Sequence, residues 1–349
     1  MAGAADLELE VGACEGMERF DTRKERRNLE SAMPLTNVSL GRNGERMNAW
    51  TSFARPALLL AFLAAGGMMG CHPSSDASRP VAPSETAPAR HILTGRVVSV
   101  LKERTSLLID HDEIPGFMPR MTMEFLVGPG DLTLAREGAD LRATLVEEGA
   151  GRFRLEGVWW VDSVKDTAVN QASSKLREDT SIRGRAAYRE VGENLPDFAL
   201  YNQRGEVVDA GRWRGKQIML NFIFTRCPVA TMCPASTARM METQAKAKAA
   251  GVQNLELISI TLDPEYDTPG VLREYVEARG IDTVNFSFLT GPEGAIKDLF
   301  KQFGILTEMK GGVLTHTLAT LLINEQGIIV WRADGSTWTA DEFVERMKR

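Results

Sequence analysis

Cysteine and histidine are scarce, at four each in 349 residues. Four cysteines are too few for a disulfide scaffold, and they do not fall at zinc-finger spacing. With so few histidines, each imidazole has to be accounted for individually. No dense Lys/Arg block is present. The 41 basic residues are outnumbered by 47 acidic ones, for a net charge of -6, so a nucleic-acid partner is not expected. The uncharged apolar stretch at 57–70 (ALLLAFLAAGGMMG) has fourteen residues, too short to span a bilayer comfortably. What is present is ordinary for a folded protein: 43% hydrophobic and 25% charged residues argue against global disorder. The length implies about two domains.

The apolar stretch has the length of a signal-peptide h-region, with Arg55 ahead of it as the positive flank. It ends in Met68-Met69-Gly70-Cys71. Small residues followed by Cys at this point resemble a bacterial lipoprotein signal, with Cys71 as the lipid-bearing residue. Residues 1–46, with Cys14, are polar, mixed in charge and without apolar periodicity. They are expected to be an over-long N-terminal extension, with Met47 opening a signal peptide at 47–70. Residues 71–90 hold four Pro and no aromatic and are expected to be an extended tether. The chain would then be lipid-anchored and face the periplasm or cell exterior, where thiols tend to oxidise.

Two folded regions follow. From His91 to about Val164, short alternating runs (GRVVSVLKE, TSLLIDH, MTMEFLV, ADLRATLVEE, RFRLEGVWWVDSV) are separated by Gly-rich turns. They predict a small five-stranded antiparallel β-barrel, OB-like, over 91–164. Residues 165–187 are polar without aromatics and predict a flexible linker. From 188 to 349 strand and helix alternate, ending in a hairpin (THTLATLLINEQGIIVWRADG) and a last helix (ADEFVERMKR). That order predicts an α/β thioredoxin-like domain.

The second region has only Cys227 and Cys233, in FTRCPVATMCPAS. Each precedes a proline, which disfavours the α region for the cysteine itself. Cys227 is therefore expected in the loop and Cys233 at the helix entrance, with Pro234 in the first turn. The positive end of the helix would favour thiolate. Two adjacent thiolates can bind a soft metal or close a disulfide. An inert structural disulfide is the plain alternative.

FIFTRCPVATMCPAS, ITLDPEYDTPGVLREY and LTHTLATLLINEQG together resemble the Sco (SenC/PrrC) family of copper chaperones and thiol oxidoreductases, over about 190–349. The family usually shows CxxxC, whereas the spacing here is CxxxxxC. Its metal ligands, two cysteines and a histidine, fall by motif on Cys227, Cys233 and His316, with Asp263 of the DPxxDTP segment near the site. Cu(I) is soft and suits two thiolates with an imidazole. His316 is expected in a strand that also carries Leu318 and Leu322.

The first region has its own soft donors in IDHDEIPGFMPRMTMEF. Met121 and Met123 project from one face of a predicted strand, and His111 ends the strand before it. Thioethers do not form disulfides, so one His and two Met make a Cu(I) set suited to an oxidising compartment. Met118 is expected to pack in the core. The segment resembles the CusF-like periplasmic copper-binding domains, whose motif falls on His111, Met121 and Met123. Those domains often place Trp over the copper; here Phe117 takes that stretch and would cap it more weakly. His91 is a candidate accessory ligand, and Trp159 and Trp160 are expected in the core and at the edge.

These readings imply a membrane-anchored copper chaperone that carries copper as Cu(I), with Cu(II) binding left open. By resemblance it would deliver to a copper-bearing subunit of cytochrome c oxidase, with CuA as the centre served. A periplasmic thiol reductant would keep the cysteines reduced. The alternative is a thiol–disulfide oxidoreductase cycling Cys227 and Cys233. A peroxiredoxin-like peroxidase and plain copper storage are weaker readings, the former because no Thr-x-x-Cys is present at Cys227.

Overall fold

The computed structural model describes residues 89–184, 187–310 and 313–348. The chain divides into two units, Met1–Arg79 and Pro80–Arg349, and everything described here belongs to the second. The expected extension, signal and nearly all of the tether, with Cys71, lie outside the described residues. Among the described residues, no helix is long and apolar enough to cross a membrane.

The five predicted strands all form: β1 (Arg90–Leu101), β2 (Ser106–His111), β3 (Met121–Leu126), β4 (Asp140–Gly149) and β5 (Arg152–Val161). They hydrogen-bond in the order β1-β2-β3-β5-β4, and β4 returns to β1. All ladders are antiparallel except β3–β5, which meets through the single parallel pair Leu126–Arg154. Alternation sends Leu93, Val97, Leu107, Ile109, Phe125, Leu141 and Leu145 inward. The β4–β5 turn holds Gly149, Ala150 and Gly151 at positive φ, which glycine adopts without steric cost. A short helix, α1 (Pro129–Leu134), follows β3.

Residues 165–187, expected as a flexible linker, are mostly helix. The helix α2 (Ser163–Arg183) begins at Asp162, whose carboxylate accepts from Val164 N and Lys165 N at 3.1 and 3.2 Å. Val169 and Leu176 are its buried apolar side chains, too few to produce helical periodicity. What orders α2 is the surface beneath it. That surface is α5 (Glu293–Phe303), more than 100 residues downstream. Gln302 of α5 donates to Thr180 and Asp179 at 3.0 and 2.8 Å, and Arg177 pairs with Asp298 at 3.3 Å.

The larger domain is a seven-stranded sheet. Its strands are β6 (Ala199–Asn202), β7 (Val207–Asp209), β8 (Gln217–Ile223), β9 (Leu255–Thr261), β10 (Phe286–Thr290), β13 (Ala319–Ile323) and β14 (Ile329–Asp334). They run in the order β14-β13-β8-β9-β10-β6-β7. β8, β9 and β10 are mutually parallel and buried at all but one position each, which is why their sequences are nearly continuous in apolar residues. Three further helices cover the sheet: α3 (Cys233–Ala249), α4 (Pro269–Ala278) and α6 (Ala340–Met347). Thr268 caps α4 as expected, accepting from Val271 N at 3.5 Å. Alternating β and α elements with a terminal hairpin and helix make this a thioredoxin-like α/β domain.

One predicted strand splits. THTLATLLI forms β13 at its C-terminal end, while His316 closes a separate strand, β12 (Val313–His316), paired antiparallel with β11 (Thr307–Lys310). The two form their own two-stranded sheet. His316 therefore stands on a hairpin beside the main sheet and does not share a strand with Leu318 and Leu322.

Candidate metal centre

Cys227 lies in the loop after β8, and its amide donates to the Phe224 carbonyl at 3.3 Å. Cys233 is the first residue of α3, with Pro234 in the first turn. Both are free thiols. Five residues lie between the two cysteines; the Cys227 Sγ approaches the Val229 carbonyl at 3.9 Å, and Cys227 is near enough to act on the Cys233 thiol. His316 brings Nε2 to 3.5 Å from the Cys233 sulfur. Its other ring nitrogen, Nδ1, lies 3.0 Å from the Thr317 carbonyl. With Nδ1–H donating there, Nε2 turns a lone pair toward the sulfur. The Phe224 ring packs edge-on against the imidazole at 5.6 Å.

The helix end does not set the state of Cys233. Its side chain is completely buried. Burial first, then the neighbouring Cys227, push the thiol far above its ordinary range despite the helix terminus. Cys233 is a protonated thiol whose S–H can point at His316. Burial likewise lowers the His316 pKa and favours the neutral imidazole. A neutral imidazole nitrogen and thiols that surrender protons on ligation are the donor types a soft metal takes. Among the described residues, no three Cys, His, Asp or Glu groups are drawn into a closed metal cage. Cys233 is the residue that touches His316.

Asp263 does not point at the thiols. It pairs with Arg226 at 2.7 Å, and the Arg226 guanidinium also covers the Tyr266 ring. The carboxylate that anchors the cysteine loop is Asp267, which sequence reasoning passed over. It is fully buried. It accepts from Thr225 N at 3.1 Å, from the Thr225 hydroxyl, and from the Thr261 hydroxyl at 2.5 Å. Burial pushes its pKa up to about 6, against the pull of those bonds. Its signal was available: it is the second aspartate of DPEYDTP, immediately before the α4 cap. Below α3, buried Asn221 donates to Ser236 at 2.9 Å and accepts from Ser259 at 2.6 Å, fixing the helix on the sheet.

In the small domain, His111 ends β2 directly opposite Met121 at the start of β3, and Met123 lies opposite Ile109. Met121 and Met123 thus lie on the β3 face that carries buried Phe125, at the end of the strand that pairs with His111. His111 is fully buried. Nδ1 lies 2.7 Å from the Asp112 carbonyl, while buried Nε2 has no hydrogen-bond partner. An orphaned imidazole nitrogen beside two thioethers fits a Cu(I) ligand set. Met121 is 44% exposed, and Met123 and Met118 pack against the small core. Phe117 stacks face-to-face on His91 at 4.0 Å, so one face of that ring is already covered. Trp160 packs against the core, and Trp159 lies edge-on to Tyr201 of the larger domain at 5.7 Å.

Comparison with known proteins agrees with this division. Residues 186–349 match the SCO1/SenC family model. Residues 90–159 match the model for the copper binding periplasmic protein CusF. Among curated relatives, the SCO1 protein homolog of Bacillus subtilis is 36% identical over 94 residues, covering 27% of this chain and 47% of that protein. An SCO2-like protein of Rickettsia typhi is 32% identical over 139 residues, covering 37% of this chain and 64% of that one. The chain thus spans about half to two thirds of the length of these relatives. A solved SCO1/SenC family lipoprotein from Bacillus anthracis aligns over 47% of this chain and 98% of its own, with 27% identity and a TM-score of 0.42.

Proposed function

From a chain that joins a CusF-type copper-binding domain to an SCO1/SenC domain, we propose a copper chaperone with two soft-donor sites. SCO1/SenC proteins handle copper in the assembly of cytochrome c oxidase. The ion is cargo in this reading. His111, Met121 and Met123 would take up Cu(I), and Cys227, Cys233 and His316 would hold it for delivery to a copper-bearing oxidase subunit, with CuA as the centre served. Anchoring through Cys71 on the periplasmic side, and a thiol reductant that keeps the cysteine pair reduced, complete the proposal. The observation that carries it is the 3.5 Å approach of His316 Nε2 to Cys233 Sγ across 83 residues of sequence.

Release from the thiol site is ligand exchange: an acceptor thiolate replaces a Cys ligand, and the freed sulfur regains its proton. The buried environment of Cys233 favours the protonated product. This assists release as well as limiting binding at low pH.

Two free thiols at one strand-to-helix turn favour a second reading. As a thiol–disulfide oxidoreductase, the pair would form one S–S bond while giving two electrons and two protons to an acceptor disulfide. Copper stoichiometry of the reduced full chain separates the two. Two Cu(I) per chain are expected, falling to one in Cys227→Ser/Cys233→Ser and to one in Met121→Leu/Met123→Leu. A single copper lost only in the methionine variant would assign the cysteines to redox exchange.

A further inference from the structure

The two domains meet where α1 crosses α4. The crossing is made at glycines: a Cβ at Gly130 would collide with the Gly270 carbonyl, and one at Gly270 with the Asp131 carboxylate. Glu274 of α4 accepts from the Gly130 amide at 2.9 Å. Asp131 is 4% exposed, and its Oδ1 has no hydrogen-bond partner. Two acids, one from each domain, therefore share a buried seam.

The other charged groups nearby are engaged elsewhere or face a neighbouring cavity. On α4, Arg273 pairs with Glu277 at 2.8 Å. Arg273 also lines a cavity with Arg136, Lys165, Arg204 and Glu206. Lys165 donates to the Gly205 carbonyl at 3.1 Å. The charge acting on Asp131 is that of Glu274. Together with burial, it pushes the Asp131 pKa up to about 8.

We propose that Asp131 and Glu274 form a proton-operated clasp that holds the small domain on α4. The closed seam accommodates Asp131 as the neutral acid, in contact with Gly270. Ionised, it would set a second negative charge beside Glu274 at a position where Asp131 itself is buried. The sign follows from the docked and free states. Released, Asp131 has an ordinary carboxyl pKa near 4; docked, it holds its proton to about 8. Docking is tightest at low pH, and its equilibrium constant falls by up to about tenfold per pH unit between these limits.

The clasp also bears on communication between the two donor sets. β3 starts at Met121, opposite His111, and runs to Leu126 just before α1. The His–Met set and the seam are therefore at opposite ends of that strand, roughly 17 Å apart at about 3.3 Å per residue. While the seam is closed, the small domain keeps its donors on the end turned away from α4. Opening it leaves the small domain held by the Trp159–Tyr201 contact and the β5–α2 junction at Asp162. The clasp itself does not depend on copper passing between the sites.

Hydrogen exchange of the full chain, corrected for intrinsic pH dependence, tests this. Peptides spanning 127–135 and 268–278 should be protected at pH 5 and lose protection by up to about tenfold per unit toward pH 8, while β9 at 255–261 stays constant. Asp131→Asn should remove the pH dependence. Glu274→Gln keeps an acceptor for the Gly130 amide but removes the charge, and should end the pH-dependent range at lower pH. Equal seam protection at pH 5 and pH 8 in the parent would overturn the clasp, as would a full slope persisting in Asp131→Asn. Should that variant not fold by near-ultraviolet circular dichroism, an unchanged pH range in Glu274→Gln decides against it.

Discussion

At the scale of single residues, the two cysteines are the same side chain in opposed situations. Cys233 opens a helix, a position that ordinarily favours thiolate, yet burial dominates and keeps it protonated. Cys227 is only partly buried, on a loop. The expected consequence is asymmetric reactivity. At neutral pH, iodoacetamide should modify Cys227 at least about tenfold faster than Cys233 in the reduced chain, read by peptide mass spectrometry over time. Equal rates would show that the Cys233 thiol is not shielded as described. The pair itself was legible from FTRCPVATMCPAS, because a strand-to-helix turn with two prolines leaves few conformations. The winner between helix field and desolvation was not legible, since burial is a property of the surrounding sheet and hairpin.

At the scale of elements, the cysteine loop is fastened to the β9–α4 turn through Asp267. Asp267→Ala would strand the Thr225 amide and two hydroxyls, and should cost about 2–4 kcal/mol in urea unfolding. Asp267→Asn preserves the shape. Because the folded pKa is raised to about 6 above the unfolded value of 3.8, the contribution of this group is full below about 4 and declines as pH rises through about 6. The Asn variant should therefore show a flatter stability curve over pH 4–6, and an unchanged curve would remove Asp267 as its source. The elements that sequence identified are those whose own periodicity determines them: β8, β9 and β10 from apolar runs, α4 from Thr268-Pro269 and α5 from its amphipathic spacing. α2 escaped because its helix depends on Asp162 as a cap and on α5 as a platform, and neither leaves an apolar stripe within 165–187. His316 was placed in one continuous strand because THTLATLLI reads as one run; the break at 317–318 arises where β12 leaves the main sheet to pair with β11.

At the scale of the whole molecule, α2 replaces the expected flexible linker with a packed strut, and the small domain touches the larger one through α1 and Trp159. Leu176→Ala, in the core shared by α2 and the large sheet, should cost about 2–4 kcal/mol. It should also raise hydrogen exchange along 163–183 relative to β9. Protection equal to the parent in that segment would mean that α2 is ordered without its core contact.

The sequence by itself determined the local and the chemical: five alternating strands, an α/β succession, a Pro-flanked cysteine pair, and a histidine with two methionines in register. These follow from residue type at short spacing, where backbone sterics and side-chain period act without help from distant chain. Only the tertiary structure decided which groups meet across long separations. It brought His316 to Cys233, made Asp267 rather than Asp263 the anchor of the loop, ordered α2 against α5, and placed two acids in one seam at a glycine crossing. Each of these outcomes depends on desolvation and on contact partners that the fold supplies.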